Sequence, residues 1–325
     1  MDVQKLYLFK TLQVSDIKEA VRIDIYLSRH FPETGRTQFQ KQILNKWIKV
    51  NNNYVNKGSK VFPDDQIEIY TPYKSKIEWI ANPDITFDIV FEDEYLIVVN
   101  KQAGVQVHPA SGNYDNTLIN GLVAYTNKKH EKVFLVHRLD KFTSGLIVFA
   151  KTVKARDILL NAFSKKLAKR SYTAIVWGKL DEFGTIDETI GRLPKDNKKF
   201  GYLSIDEGGK NAITHYKCTQ AFPFHSIVEC KLETGRTHQI RVHLQGKGNP
   251  IVGDWEYGGH LAILGLRNTE YMQKMDELLS LFKGQALQAT SLDLPHPESN
   301  RIMHFELDLP ESFIKAIAIL EGINY

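Results

Sequence analysis

Beyond residue 85 the apolar positions come in short unbroken runs rather than at helical intervals. Ile85 to Val99 reads as a strand, a turn at Glu92-Asp93-Glu94 and a second strand that ends at Asn100-Lys101. Phe134-Leu135-Val136 and Leu146-Ile147-Val148-Phe149-Ala150 read as short buried strands, and Ile227 to Leu232 reads as a further strand. Helical periodicity appears between Lys151 and Arg170, where Ile158, Leu159, Ala162 and Phe163 are spaced for one face. Short strands alternating with a few helices predict an α+β arrangement on a mixed or antiparallel sheet.

Residues 21–70 read differently, as a compact unit of their own. An amphipathic stretch from Arg22 to His30, a turn at Pro32-Glu33-Thr34-Gly35 and a second helical stretch from Thr37 to Lys46 precede a hairpin over Trp47 to Val55 and a closing strand at Asp64 to Ile69. Residues 1–20 are expected to be an N-terminal extension. Residues 71–84, with Pro72, Pro83 and mixed charge, are expected to be a linker to a large domain over 85–325. A length of 325 residues favours this two-domain reading.

Composition narrows the class. With 42% hydrophobic and 25% charged residues the chain has an ordinary globular makeup. No apolar run approaches the ~18 residues of a membrane helix, and Met1-Asp2-Val3-Gln4-Lys5 does not open a secretory signal, so a cytoplasmic protein without a membrane partner is expected. Cys218 and Cys230 are too few for a disulfide framework. His238 and His243 lack the His-Glu-x-x-His spacing, so no metal is expected. The net charge of +4 lies in residues 1–80, which hold 13 Lys and Arg against 9 Asp and Glu, while the remainder holds 29 against 29. Such a surplus is only a weak pointer to a polyanion.

The run His137-Arg138-Leu139-Asp140-Lys141-Phe142-Thr143-Ser144-Gly145-Leu146 carries the candidate chemistry. A carboxylate, several cationic or proton-carrying groups and two hydroxyls lie between two buried strands, where a sheet opens into a cleft. Any one of these residues alone is more often structural, with Asp140 capping a turn. A lone carboxylate in a dry pocket takes up a proton, so Asp140 needs a cation beside it. The candidates are Arg236 and Arg241, in Glu233-Thr234-Gly235-Arg236-Thr237-His238-Gln239-Ile240-Arg241-Val242-His243, and the pattern alone does not choose between them. Thr237 is placed to cap a short helix through Leu244.

The run His137-Arg138-Leu139-Asp140 with Thr143-Ser144-Gly145-Leu146 resembles the signature of the RluA/RluD-type pseudouridine synthases, which isomerise uridine in RNA. Gly235 to His243 resembles that family's second signature, and Lys169 to Gly178 its Lys-x-Tyr-x-Ala-x-Val-x-Gly strand. Gly253-Asp254-Trp255-Glu256-Tyr257-Gly258 resembles its Gly-Asp-x-x-Tyr-Gly turn. The chain departs from the pattern at Gln102, where the family has Pro, and at Gln288, where it has His. Residues 21–70 resemble the S-four-type RNA-binding module, with Thr37 and Trp47 in place of its usual Ser and Gly.

The resemblance implies a catalytic Asp140, acting as nucleophile or base, with Arg236 as its ion-pair partner and Tyr172 as the ring against the base. It implies Arg138 as the wedge that fills the gap left by an extruded uridine. His137, Thr143, His238 and Arg241 are expected to contact the substrate, and Arg29, Arg36, Lys41, Lys46, Lys49, Lys165, Lys169 and Arg170 to follow the RNA backbone. An isomerisation has no net redox change or hydrolysis, so no cofactor is expected. Structured ribosomal RNA, of the large subunit, is the expected partner, and nothing demands more than a monomer. The rival readings are a non-catalytic RNA-binding or ribosome-assembly factor on the same fold and a hydrolytic N-glycosidase.

Overall fold

The computed structural model describes residues 6–31, 34–71, 79–110, 113–194, 196, 199–261, 264–266 and 268–323. Part of the expected 32–35 turn, residues 72–78 of the expected linker and the first five residues lie outside this set. The chain divides into two units, Met1–Glu78 and Trp79–Tyr325.

The first unit contains β1 (Tyr7–Gln13), β2 (Val21–Arg22), α1 (Ile23–His30), α2 (Arg36–Leu44), β3 (Ile48–Val50), β4 (Asn53–Tyr54), β5 (Lys60–Val61) and β6 (Gln66–Thr71). One sheet runs β1-β6-β3-β4, and β2 pairs with β5. Tyr7–Gln13 was expected in an extension outside this unit, yet β1 is hydrogen-bonded antiparallel along β6. Ile23 and Leu27 of α1, Phe39 and Ile43 of α2, and Ile48, Ile67 and Ile69 of the sheet form one core. Their spacing of four along the helices and two along β6 is the amphipathic pattern each element needs.

The second unit contains β7 (Asp88–Glu92), β8 (Leu96–Lys101), α3 (Leu118–Asn127), β9 (Phe134–Leu135), β10 (Ser144–Ala150), α4 (Val153–Ser164), β11 (Lys169–Trp177), β12 (Phe183–Arg192), β13 (Phe200–Tyr202), β14 (Lys210–Ala221), β15 (His225–Leu232), α5 (Gln239–Gly246), α6 (Thr269–Ser280), β16 (Leu287–Pro295), β17 (Ile302–Glu306) and α7 (Glu311–Glu321). An 11-stranded sheet runs β13-β12-β14-β15-β11-β16-β10-β8-β7, with β17 also on β16 and β9 on β10. It is mixed, because β10 and β16 are parallel while the other pairs are antiparallel.

The unbroken apolar runs have a simple cause. Ile97, Val99, Ile147 and Phe149 pack into one core with Leu118 of α3 and with Met275 and Phe313 of α6 and α7. Leu96, Val98, Leu146 and Val148 pack into another with Ala155 and Leu159 of α4. Both faces of β8 and β10 are covered, so neither strand alternates.

The β10–β16 junction lies at the start of both strands. Gly145 has φ +104°, and a Cβ there would lie 2.2 Å from the Ala289 carbonyl oxygen. Glycine is therefore required for the two backbones to meet.

Candidate active site

The loop between β9 and β10 carries Asp140. Its tip is closed by the Thr143 N–H donating to the Asp140 carbonyl at 3.2 Å. Thr143 is itself buried, and its hydroxyl accepts from Gln285 Nε2 at 3.1 Å. The Lys101 ammonium, fully buried at the end of β8, donates to the carbonyls of Gln102, Val105 and Lys141 at 2.9, 2.9 and 3.0 Å, and Gly104 N–H also reaches Lys141 O, at 2.9 Å. One cation thus joins the 102–105 loop to the residue after Asp140. That clamp supplies the stiffness the proline missing at Gln102 would have given. Burial pushes Lys101 down to about 7, with the charge of Asp140 pulling the other way.

A pocket of about 80 Å³ opens in front of Asp140, lined by Arg138, Tyr172, Arg236, His238 and Arg241 among others. The cation that meets Asp140 is Arg241, not Arg236. Arg241 Nη1 donates to Asp140 Oδ2 at 3.2 Å. Its Nε and Nη2 grip Asp254 as a fork at 2.7 and 2.8 Å, and Nη2 also reaches Glu256 Oε2 at 3.0 Å. Arg236 is exposed, and its Nε donates outward to the Asn211 carbonyl at 3.0 Å.

The reason lies in how α5 begins. Gln239 is buried and spends its side chain on the preceding turn and on β14, accepting from Arg236 N–H and Thr234 Oγ1 and donating to Ile213 O and Thr214 Oγ1. His238, rather than Thr237, is the residue before the helix, in a left-handed conformation with φ 57°. Arg236 is left in the exposed turn, and Arg241 sits in the first turn of a helix whose side chains from 239 to 244 are all buried.

Burial opposes charge on Arg241, but the hydrogen bonds it donates to Asp254 and the negative charges of Asp254, Asp140 and Glu256 outweigh it and raise its pKa further. The guanidinium also lies 4.8 Å from the Tyr257 ring centre.

His238 approaches the same oxygen of Asp140, with Nε2 3.9 Å from Oδ2 and Nδ1 2.8 Å from the Tyr257 hydroxyl. Tyr257 Oη accepts from the Phe200 N–H at 3.3 Å, so its own hydrogen is available to His238 Nδ1. Nδ1 also lies 3.5 Å from Glu256 Oε2, so the imidazole stands among Asp140, Glu256 and Tyr257. Burial, with help from Arg241 and against the pull of Asp140, Glu256 and Asp254, lowers the His238 pKa and favours the neutral ring.

Tyr172, in the middle of β11, is buried against Cys230 and Ala289 on the neighbouring strands and lines the pocket. Burial raises its pKa, Asp140 adds to this, and Arg170 opposes it, so it remains a neutral phenol. Among the described residues no partner takes its hydroxyl. Arg138 is exposed at the rim of the pocket.

His137 does not reach the pocket. Its Nε2 accepts from the Val148 N–H at 3.0 Å and its ring stacks on Phe163 of α4, with centroids 4.5 Å apart. Burial, helped by the charge of Arg170, pushes its pKa down to about 3. It is a strut between β10 and α4 rather than a substrate contact. Arg170, expected on the RNA backbone, instead forms part of the pocket wall, over Phe163 and against Gly235, where a Cβ would come within 2.7 Å of its guanidinium.

Lys165 and Lys169 are exposed as expected. In the first unit Arg29, Lys41 and Lys46 are exposed, and Lys49 lies 5.0 and 5.3 Å from the Tyr54 and Tyr70 ring centres. Arg36 departs from expectation. Its Nε donates at 2.8 Å to Asp24, a carboxylate buried in α1 that Arg22 and Gln40 also hold, so this contact is internal.

Sequence reasoning missed Asp254, Glu256, Tyr257 and Lys101 as parts of the site. Three of them stood in a turn recognised by its pattern, and the available signal was its two carboxylates, which need a cation when a turn is packed inside a fold.

A large mixed sheet with a single arginine-held aspartate in a cleft rimmed by further arginines defines a carboxylate-centred enzyme for an anionic substrate. Comparison with known proteins is consistent with that class and narrower. Residues 95–246 match the RNA pseudouridylate synthase family. The chain is 36% identical over 312 residues to the Uncharacterized RNA pseudouridine synthase YlyB of Bacillus subtilis, covering 94% of this chain and 96% of the relative. It is 36% identical over 301 residues to the Ribosomal large subunit pseudouridine synthase D of Pseudomonas aeruginosa, covering 92% of each. The solved structure of Human RNA Pseudouridylate Synthase Domain Containing 4 shares the fold, with a TM-score of 0.58 at 24% identity over 72% of this chain and 93% of that one. The chain belongs to the RluA/RluD-type RNA pseudouridine synthases and is an isomerase of uridine in RNA.

Proposed function

We propose that this chain converts uridine to pseudouridine in large-subunit ribosomal RNA, acting as a cytoplasmic monomer, with Asp140 as the reacting carboxylate. The substrate follows from relatives named for the large ribosomal subunit. No helix among the described residues is long and apolar enough to cross a membrane. The observation that carries the role of Asp140 is its place in the pocket. Oδ2 takes the contacts with Arg241 and His238, and among the described residues Oδ1 has no hydrogen-bond partner.

In the reaction the N1–C1′ bond breaks with its electron pair on the base, the base turns, and C5 bonds to C1′. The C5 proton is lost and N1 takes one, so atoms and charge balance without a cofactor. Asp140 holds the sugar activated between the two bonds, either by attack at C1′ through Oδ1 or as a base at the sugar. Arg241 keeps the carboxylate ionised and aimed, while Tyr172 offers a ring to the base and a neutral hydroxyl for the proton leaving C5. Arg138 at the rim fills the space of the extruded uridine. Arg236, with Arg29, Lys41, Lys46, Lys49, Lys165 and Lys169, contacts phosphates, the first unit serving as an RNA-binding module.

The test is to incubate unmodified large-subunit ribosomal RNA with wild type and with Asp140→Asn and map pseudouridine. Wild type is expected to modify discrete positions and Asp140→Asn none, with RNA binding kept. Equal modification by both would remove Asp140 from the chemistry. Release of free uracil would point to hydrolysis instead.

A further inference from the structure

The turn that holds Arg241 carries one residue that the chemistry leaves unused. Between Asp254, fully buried on the Arg241 fork, and Glu256, whose carboxylate reaches both Arg241 and His238, stands Trp255, 68% exposed. Its neighbours in sequence thus touch two residues of the pocket lining. Consecutive Cα atoms are about 3.8 Å apart, so the Trp255 backbone lies within a side chain's length of residues that line the cleft, and its indole is open to water.

The indole is also held in place. One face lies on the His260 ring, with centroids 4.7 Å apart and planes at 23°. The turn beneath is braced by Gly253 N–H to Gly259 O at 2.6 Å, by Gly259 N–H to Asp254 O at 2.8 Å, and by the buried Trp177 indole donating to Gly259 O at 3.1 Å. A Cβ at Gly259 would lie 1.7 Å from the Ile251 carbonyl oxygen, so the backbone packs there without slack. A large apolar ring kept open to water, on a rigid support and with one face covered, is half of a stacking site, and ordering the indole costs the binding step little.

We propose that Trp255 is a stacking platform for an unpaired nucleobase flanking the target uridine. This rests on the reading of the cleft as an RNA site. It adds a subsite in which recognition is by the π-face of a base and is tolerant of base identity. Extruding a uridine unstacks its neighbours, and a second aromatic surface beside the cleft offers one of them a new stack.

The experiment compares wild type, Trp255→Phe and Trp255→Ala on unmodified large-subunit ribosomal RNA, reading KM and kcat for pseudouridine formation and the Kd for RNA. The expected result for Trp255→Ala is a KM and Kd raised on the order of 10- to 100-fold, about 1.4 to 2.7 kcal/mol, with kcat within about twofold and an unchanged melting temperature. Trp255→Phe falls between. A Kd and KM within twofold of wild type would overturn the proposal. So would a fall in kcat at constant Kd, which would make the residue a support for Arg241, and so would an unchanged RNA Kd alongside lost binding to a ribosomal protein. If wild type modifies other RNA but not this one, the substrate assignment fails separately, and the Kd comparison on single-stranded RNA still decides the stacking.

Discussion

Replacing Arg241 and Arg236 in turn separates the arginine that holds the Asp140 carboxylate from the one that does not. Arg241→Met is the wrong probe, because it would leave Asp254, without exposed surface, facing no cation, at a cost of about 3 to 5 kcal/mol in stability. Arg241→Lys keeps the charge but replaces a planar fork by a point. The four contacts at 2.7, 2.8, 3.0 and 3.2 Å to Asp254, Glu256 and Asp140 cannot all be made by one ammonium. The buried Asp254 keeps the ammonium, because it has no water to turn to, and the contact with Asp140, 17% exposed, is the one lost. A hydrogen bond to a charged group contributes about 1.5 to 3 kcal/mol, so single-turnover rates at saturating enzyme should fall on the order of 10- to 100-fold. Arg236→Ala removes an exposed side chain whose recorded hydrogen bond is to a carbonyl. It should leave that rate within about threefold and raise KM for RNA instead. Single-turnover pseudouridine formation, with melting temperatures taken in parallel, measures both. A larger rate loss for Arg236→Ala than for Arg241→Lys would refute the assignment of Arg241.

Stability should fall between pH 7 and pH 5. Burial pushes both His225 and His243 down to about 4, and both rings are fully buried, so the unfolded chain takes up protons near pH 6.5 that the folded chain refuses until about 4. Stability present above the unfolded value is lost through that window, by about 4 kcal/mol at pH 5 for the pair, and urea midpoints that do not move between the two pH values would contradict this. Gly145→Ala should destabilise the protein strongly or prevent its folding, because the added Cβ meets the Ala289 backbone at 2.2 Å in a left-handed conformation; a melting temperature within a few degrees of wild type would show that β16 can give way. Tyr172→Phe should lower kcat with KM unchanged while Tyr172→Leu raises KM as well, and a Tyr172→Phe enzyme with full kcat would take the hydroxyl out of the proton transfer.

The Asp140 loop was legible from sequence because its flanks are strands covered on both faces, which turns alternation into continuous apolar runs and leaves a polar loop conspicuous between them. Tyr172 was legible only through the resemblance of its strand to the family's motif, because an aromatic on a buried strand is as often plain core. The choice between Arg236 and Arg241 was not. It depends on where α5 begins, and that is set by the Gln239 side chain bonded to residues of β14 and by the left-handed turn at His238, neither of which is a matter of propensity. Tyr7–Gln13 was missed because its partner β6 lies more than fifty residues on, and edge pairing of that kind leaves little local signal.

The two arginines of one motif therefore do opposite kinds of work, and burial decides which. Asp140, Asp254 and Glu256 gather three negative charges around the single guanidinium of Arg241. A pocket with that surplus would repel RNA if nothing else were charged nearby. Arg138, Arg170 and Arg236 in the pocket lining answer it from positions nearer water. An arginine inside the cluster is saturated by carboxylates and can only hold Asp140. An arginine at the rim stays open to solvent, as the phosphate contact proposed for Arg236 requires, and the same guanidinium moved inward would be closed to it. The order along the chain, with the rim residue first and the buried one five positions later, follows from a turn that emerges from the sheet at the surface before the helix carries it inside.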